Sequence, residues 1–487
     1  MQTISLRSTR GICVLTFALG ALAAAPGKAQ TYGQFFVFSD AGDLPFGPAY
    51  PTNMIEAWNG QLYSTAFEYP GGEAAGAIYA LSTSAVESVV YDVPTGGTQG
   101  TYCDSGVIQG TDGNAYAVCQ QGGTGTACSN YCGTVYRVSG GTAAILHNFQ
   151  GGADGANPYG PMIQASDGNY YGITQYGGSS ACASGCGTIF KITSAGAYSV
   201  FHRFQNTASD GYGPQPGLVQ GADGALYGAV NLAATGGAIF RMTLAGQISY
   251  IHKFTATVDN SCPNGGLTLG SNGALYGTTP GSCAADAFEN GTIYRLTDTG
   301  TFTQLHAFTG PSGDGANPIG GMIQATDGNF YGVTMGTNPA GDGGAGSLYK
   351  MTPAGVVTLL HTFDYVTDFS NPLALVQHTN GTIYGAAANN NCITGECTWG
   401  GVFTLGIGAK AFVKLQSTSG APGAEVNMIG PSLNAATAVD FDGTAAAFTI
   451  ASPTQIVATV PAGAASGFVT VTVHGQTLKS SWKFTVK

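Results

Sequence analysis

The sequence predicts an all-β protein, a seven-bladed β-propeller followed by a β-sandwich, and three observations predict it. Glycine supplies 77 of 487 residues and charged residues only 8%, so turns are frequent and long solvated helices are not expected. A short motif of turn, tyrosine and, in most copies, glycine recurs seven times between Tyr63 and Tyr384. Beyond about Lys410 that motif stops, and runs of alternating polar and apolar residues replace it.

Residues 1–29 read as a secretory signal peptide. Arg7 and Arg10 precede an apolar run, Gly11 to Ala25, and the small-residue site Gly27-Lys28-Ala29 follows. The run is shorter than the ~20 apolar residues that cross a bilayer, so the mature chain is expected to have no membrane span. Removing these residues leaves twelve basic and 26 acidic side chains, a net charge of −14. With no basic run, the chain offers a phosphate backbone nothing to hold, which excludes nucleic acid as a partner.

Residues 30–409 are assigned to the propeller. The motif reads NGQLYS at Tyr63, DGNAYA at Tyr116, DGNYYG at Tyr171, DGALYG at Tyr227, NGALYG at Tyr276, DGNFYG at Tyr331 and NGTIYG at Tyr384. Its steps of 53, 55, 56, 49, 55 and 53 residues suit a blade of four short strands. In the third unit, GPMIQ runs into the Asp167-Gly168 turn, NYYGIT returns, and GTIFKI and YSVFHRF follow as third and fourth strands. Asp-Gly and Asn-Gly provide the positive φ angles of a tight hairpin. The stretch Phe35 to Phe38 (FFVF) resembles a fourth strand with no blade before it, while the last third strand, GGVFTL, has no fourth strand after it. The N-terminal strand is therefore expected to close the ring.

Ten cysteines remain after Cys13, and they fall into neighbours: Cys103/Cys119, Cys128/Cys132, Cys182/Cys186, Cys262/Cys283 and Cys392/Cys397. In an exported chain these read as five disulfides. No histidine sits at metal-ligand spacing from them, so no metal and no cofactor is expected.

Residues 410–487 read as an immunoglobulin-like sandwich, with Gln455 to Val460 (QIVATV) and Phe468 to Val473 (FVTVTV) as strands. Over Ser419 to Val486, the segments SGAPG, VNMIG, VDFDGTAAAFTI and SPTQIVATVPAGAASGFVTVTV resemble the IPT/TIG family. The repeats, with their LHxF, DGxxYG and GTxxRx signatures, resemble the gloeo/verruco (GloVer) repeat of exported bacterial proteins. That second resemblance implies a secreted or cell-surface location and brings no catalytic residues. The chain ends at TVK without a hydrophobic tail, so release and attachment both stay open.

Several groups are candidates for chemistry. His147, His202, His252, His306 and His361 share one repeat position on the outermost strands, too far apart to hold one ion, and packing between blades is the expectation. The innermost strands end in Glu56, Gln109, Gln164, Gln220, Leu269, Gln324 and Gln377. The six polar members are candidate channel-lining ligand contacts, the alternative being bonds to backbone in the following turn. Asp154, Asp210 and Asp314 lack calcium-loop spacing, and GDGGAG at Gly341 to Gly346 precedes a strand rather than a helix. The expected function is a non-catalytic binding or adhesion protein for an extracellular carbohydrate or protein ligand. The rival is a carbohydrate-active enzyme, a hydrolase or lyase, whose acids lie in irregular loops, such as Asp286, Glu289 and Glu396.

Overall fold

The computed structural model describes residues 30–487 apart from 40–52, 67–75, 95–99, 104, 129–131, 208, 233–235, 256–262, 264–265, 281–289, 311–312, 336–344, 365–367, 389–390 and 394–395, with backbone alone at 391–399. The expected signal peptide, Cys262, Cys283, Asp286 and Glu289 lie outside the described residues, as do the side chains of Cys392, Glu396 and Cys397.

Seven antiparallel sheets form the ring, six with their strands in sequence order from the inside out and the seventh with the N-terminal strand outermost. Blade 3 is representative. Its innermost strand is split into Ala156–Pro158 and Ile163–Gln164, and it continues through Tyr170–Tyr176, Thr188–Ile192 and Tyr198–Arg203. Second strands such as Phe330–Thr334 are buried at every residue, and outermost strands alternate between half-buried and exposed residues. Each sheet lies between two neighbours, so both faces of its middle strands are covered and their residues read as continuous apolar runs.

The ring closes as the sequence predicts. Thr31–Ser39 pairs antiparallel with Glu396–Gly406, completing the blade that holds Pro372–Gln377 and Ile383–Ala387. Phe38 is 2% exposed and meets Tyr79 of blade 1 edge-on at 5.3 Å, so the closing strand also joins the last blade to the first.

The tyrosine-glycine pair has a packing cause that turn chemistry does not supply. Gly172 is the cross-strand partner of Phe190, and a Cβ at Gly172 would stand 2.4 Å from Phe190 Cζ. Gly228, Gly277, Gly332 and Gly385 face Phe240, Tyr294, Tyr349 and Phe403 in the same way. The third-strand aromatic lies flat across the glycine and fills the space of the missing side chain. The tyrosine hydroxyl is held by its own turn, as when Tyr171 donates to Asp167 Oδ2 at 2.9 Å.

The sandwich has one sheet of Lys414–Leu415, Glu425–Ile429, Gln455–Thr459 and Phe448–Ser452. The facing sheet contains Ala436–Phe441, Gly467–Val473 and Gln476–Val486. Alternating residues of both sheets, among them Val426, Met428, Ile456, Val469, Val471 and Phe484, form its own core.

Three of the expected disulfides are present: Cys103–Cys119, Cys128–Cys132 and Cys182–Cys186. For a fourth expected pair, the backbones of Cys392 and Cys397 stand opposite each other in a hairpin register. Cys119 ends a second strand and Cys186 precedes a third, so both staples lie at the loop end of the ring, opposite the tight hairpin turns.

Candidate functional site

Blade sheets stand radially, so an innermost strand turns its edge to the channel and its faces to neighbouring blades. This geometry redirects the polar ring that the sequence offers as channel-lining ligand contacts. Gln109 Oε1 accepts from Trp58 N–H of blade 1 at 2.7 Å, while its Nε2 donates to Gly113 O in its own turn at 2.9 Å. Gln164 and Gln220 accept in the same way from Thr111 and Ser166, one blade back, and donate to Gly168 and Gly224. Gln324 and Gln377 repeat the pattern with Ser271 and Thr326, and with Gly328 and Gly381. Both ends of each amide are thus engaged by backbone, and one end joins adjacent blades. Leu269 leaves the blade 4–5 junction without this bond.

Glu56 closes the circle differently. Its carboxylate accepts from Thr379 N–H of blade 7 at 2.9 Å and from the Thr379 hydroxyl. The donation to Gly60 O, which an amide at position 56 would make, comes instead from His378 Nε2 at 2.9 Å. Asn380 N–H donates to His378 Nδ1 at 3.0 Å, which assigns the proton to Nε2. The carboxylate is thereby left to meet Lys414 Nζ of the sandwich at 2.8 Å. The lone acid in an amide ring marks where the second domain docks.

Two further contacts seat the sandwich on the hairpin-turn end. Phe412 N–H donates to Thr379 O at 2.9 Å, and the Thr454 hydroxyl donates to Trp58 O at 2.5 Å. The turns of blades 7 and 1 are therefore covered. Beside them a cleft of about 410 Å³ opens between the sandwich and the turns of blades 5 and 6. Ser271 and Asp327 line the propeller side, Lys410 the linker, and Phe468, Lys479 and Trp482 the sandwich side. Lys479 Nζ sits 3.6 Å from the centre of the Phe468 ring, which orients both side chains. Asp327 is held by Asn329 and accepts from Tyr331 OH at 2.8 Å. No sequence signal points to this cleft, because its walls come from Ser271 at one end of the series to Trp482 at the other, far apart in the chain.

The histidines behave as expected for packing, with partners that sequence reading treated separately. His147, His202 and His306 donate from Nε2 to Asp154, Asp210 and Asp314 at 3.0, 2.8 and 2.6 Å, and His361 donates to Asp368. The Asp-Gly aspartates weighed as calcium ligands are thus the histidines' acceptors. His147 also stacks on Tyr198 of the next blade at 3.6 Å, and His361 on Tyr32 at the same distance. Burial pushes the Asp368 carboxyl up, but bonds from His361 and Tyr32 outweigh it and hold the group below the usual carboxylate range. Among the described residues no three metal-ligating side chains converge. None of their helices is long and apolar enough to cross a membrane.

Comparison with known proteins adds the lineage. A family model described as the Gloeobacter/Verrucomicrobia repeat matches residues 28–232 and 129–344, and one for the IPT/TIG domain matches residues 412–486. No curated protein matches the chain. Among solved structures, a fungal alcohol oxidase of the AA5 family in complex with copper superposes with a TM-score of 0.51 at 12% identity, covering 94% of this chain and 99% of its own. An oligogalacturonate lyase from Vibrio parahaemolyticus gives a TM-score of 0.47 at 12% identity, covering 78% and 98%. At such identities the likeness is one of fold.

Proposed function

From the premise that the chain belongs to the Gloeobacter/Verrucomicrobia repeat family and carries an IPT/TIG domain, we propose that it is an exported, non-catalytic binding protein. Its ligand, an extracellular carbohydrate or a protein segment, occupies the cleft between the propeller's turn end and the sandwich. One observation carries this reading: the cleft joins two domains, has the volume of a ligand site, and combines the aromatic Trp482 and Phe468 with charged groups. Among the described residues its one acid, Asp327, is engaged in the turn, and hydrolysis of a glycosidic bond needs a facing pair of acids.

The ring and the sandwich divide the work. The amide clasps and stacked histidines keep the ring rigid, and the contacts at Glu56 and Trp58 hold the sandwich at a fixed angle, so the cleft is preformed. The family resemblance and the paired cysteines support export and a released or surface-held location. The test is a polysaccharide and peptide panel with the full chain and with Trp482→Ala. Binding that weakens at least tenfold in the variant, with no new reducing ends in the wild type, supports the proposal. Accumulating reducing ends would establish the enzyme instead.

A further inference from the structure

We infer that the cleft selects a saccharide bearing carboxylates, a uronic-acid oligomer. This deepens the proposed function and rests on it. The charges of the chain are unevenly divided. Residues 30–409 hold seven basic and 23 acidic side chains, a net of −16, while residues 410–487 hold five lysines against Glu425, Asp440 and Asp442, a net of +2. Two of those five lysines, Lys410 and Lys479, line the cleft. Neither forms an ion pair among the described residues. On the ring, Lys191 pairs with Asp167 at 3.1 Å and Arg241 with Asp223 at 2.6 Å, and Arg137 and Arg203 donate to the carbonyls of Ser194 and Ala153. In a protein this acidic, two unmatched cations in one concave site favour an anionic occupant.

The third charge in the cleft belongs to Asp327, whose oxygens are occupied by Asn329 and Tyr331. It repels a carboxylate from the propeller wall and so directs an anion toward the sandwich. There Trp482 provides a ring face for the C–H surface of a sugar, while the Phe468 ring carries Lys479 Nζ over its centre and holds it in the cleft. The concave space, about 410 Å³, suits a few sugar units better than the broad, flat surface of a second protein. The saccharide is held by its ring on Trp482 and by its carboxylates on Lys410 and Lys479.

The test titrates tri-galacturonic acid, its methyl ester and a neutral galactose trimer into the full chain by calorimetry. The acid trimer should bind at least tenfold more tightly than either neutral probe, and its affinity should fall as salt rises. Lys410→Gln and Lys479→Gln should each weaken the acid trimer about tenfold and the neutral trimer by less, with the melting temperature unmoved in Lys410→Gln. Equal binding of acid and ester, unchanged in the lysine variants but weakened by Trp482→Ala, would overturn the carboxylate selection and leave the binding site standing. Absence of binding by all three probes would overturn the uronic-acid selection, and binding indifferent to Trp482→Ala would overturn both. A concentration-dependent dimer in sedimentation, abolished by the lysine variants, would replace the saccharide with a second copy of the chain.

Discussion

Replacing Lys414 by Met and Glu56 by Gln separates two roles of the one acid in the inner ring. In Lys414→Met the Glu56 carboxylate, 1% exposed, keeps its bonds to Thr379 and the His378 Nε2–H 3.3 Å away but loses the charge of Lys414. Stranding a buried charge in this way costs about 3–5 kcal/mol. In Glu56→Gln no charge is stranded on the ring, and Lys414, 27% exposed, turns back to water. The amide oxygen still accepts from Thr379 N–H, as Gln109 accepts from Trp58, while its nitrogen competes with His378 for Gly60 O. The loss is then about 1–2 kcal/mol, near that of one charge-assisted hydrogen bond. Lys414→Met should be the more damaging by about 2 kcal/mol, and the double variant should match Glu56→Gln alone, because removing the acid removes the stranded charge. Urea unfolding of the full chain, followed by tryptophan emission, gives the four free energies of the cycle. If the two single variants cost the same, or the double variant costs their sum, the carboxylate is not held by the sandwich and the docking account fails.

Other outcomes are expected. Deleting residues 30–39 removes the partner of Glu396–Gly406 and the burial of Phe38, itself worth about 3–5 kcal/mol, against a total stability of about 5–15 kcal/mol. Light scattering should show aggregates, whereas deleting residues 410–487 should leave a soluble ring, most stable when combined with Glu56→Gln. Burial pushes Asp314 up, and bonds from Thr309 and His306 reverse this and hold it low, as His361 and Tyr32 do for Asp368. Carboxyls depressed in the fold add stability above the unfolded value of about 4 and lose it as pH falls through the folded one. Calorimetric melting temperature should therefore be flat from neutral pH to about 5 and drop below about 4, less steeply in Asp368→Asn. At the alkaline end, burial pushes Tyr227 and Tyr250 up to about 12, aided by Asp223 at Tyr227 and by Asp210 at Tyr250, where the Gly211 N–H pulls the other way. Their contribution is complete below about pH 10 and is lost toward 12, so tyrosinate absorbance should rise together with unfolding. Non-reducing peptide mapping should return Cys103–Cys119, Cys128–Cys132 and Cys182–Cys186, together with Cys262–Cys283 and Cys392–Cys397, and no free thiol. A peptide linking cysteines of different blades would refute that pairing.

Blade number, ring closure and three of the adjacent cysteine pairs are legible in the residues alone, because each depends on a signal contained within one repeat. A Gly at the second turn position sets a positive φ, alternation sets a strand, and a missing first or fourth strand shows at the chain's two ends of the ring. The direction of the inner glutamines was not legible. Periodicity says that Gln164 and Gln220 are equivalent, but it does not say that a radial sheet turns them to the blade behind rather than to the channel. The pairing of His202 with Asp210 lies only eight residues apart, yet it joins an outer strand to a loop whose path is set by the neighbouring blade. Glu56 read as an exception in a series, and only docking gives the exception its partner, 358 positions away at Lys414. The cleft with Lys410, Lys479 and Trp482 has the same origin. Repetition encodes the neighbours each blade shares with every other, whereas a site between two domains is written once, in residues that meet only when the chain is folded.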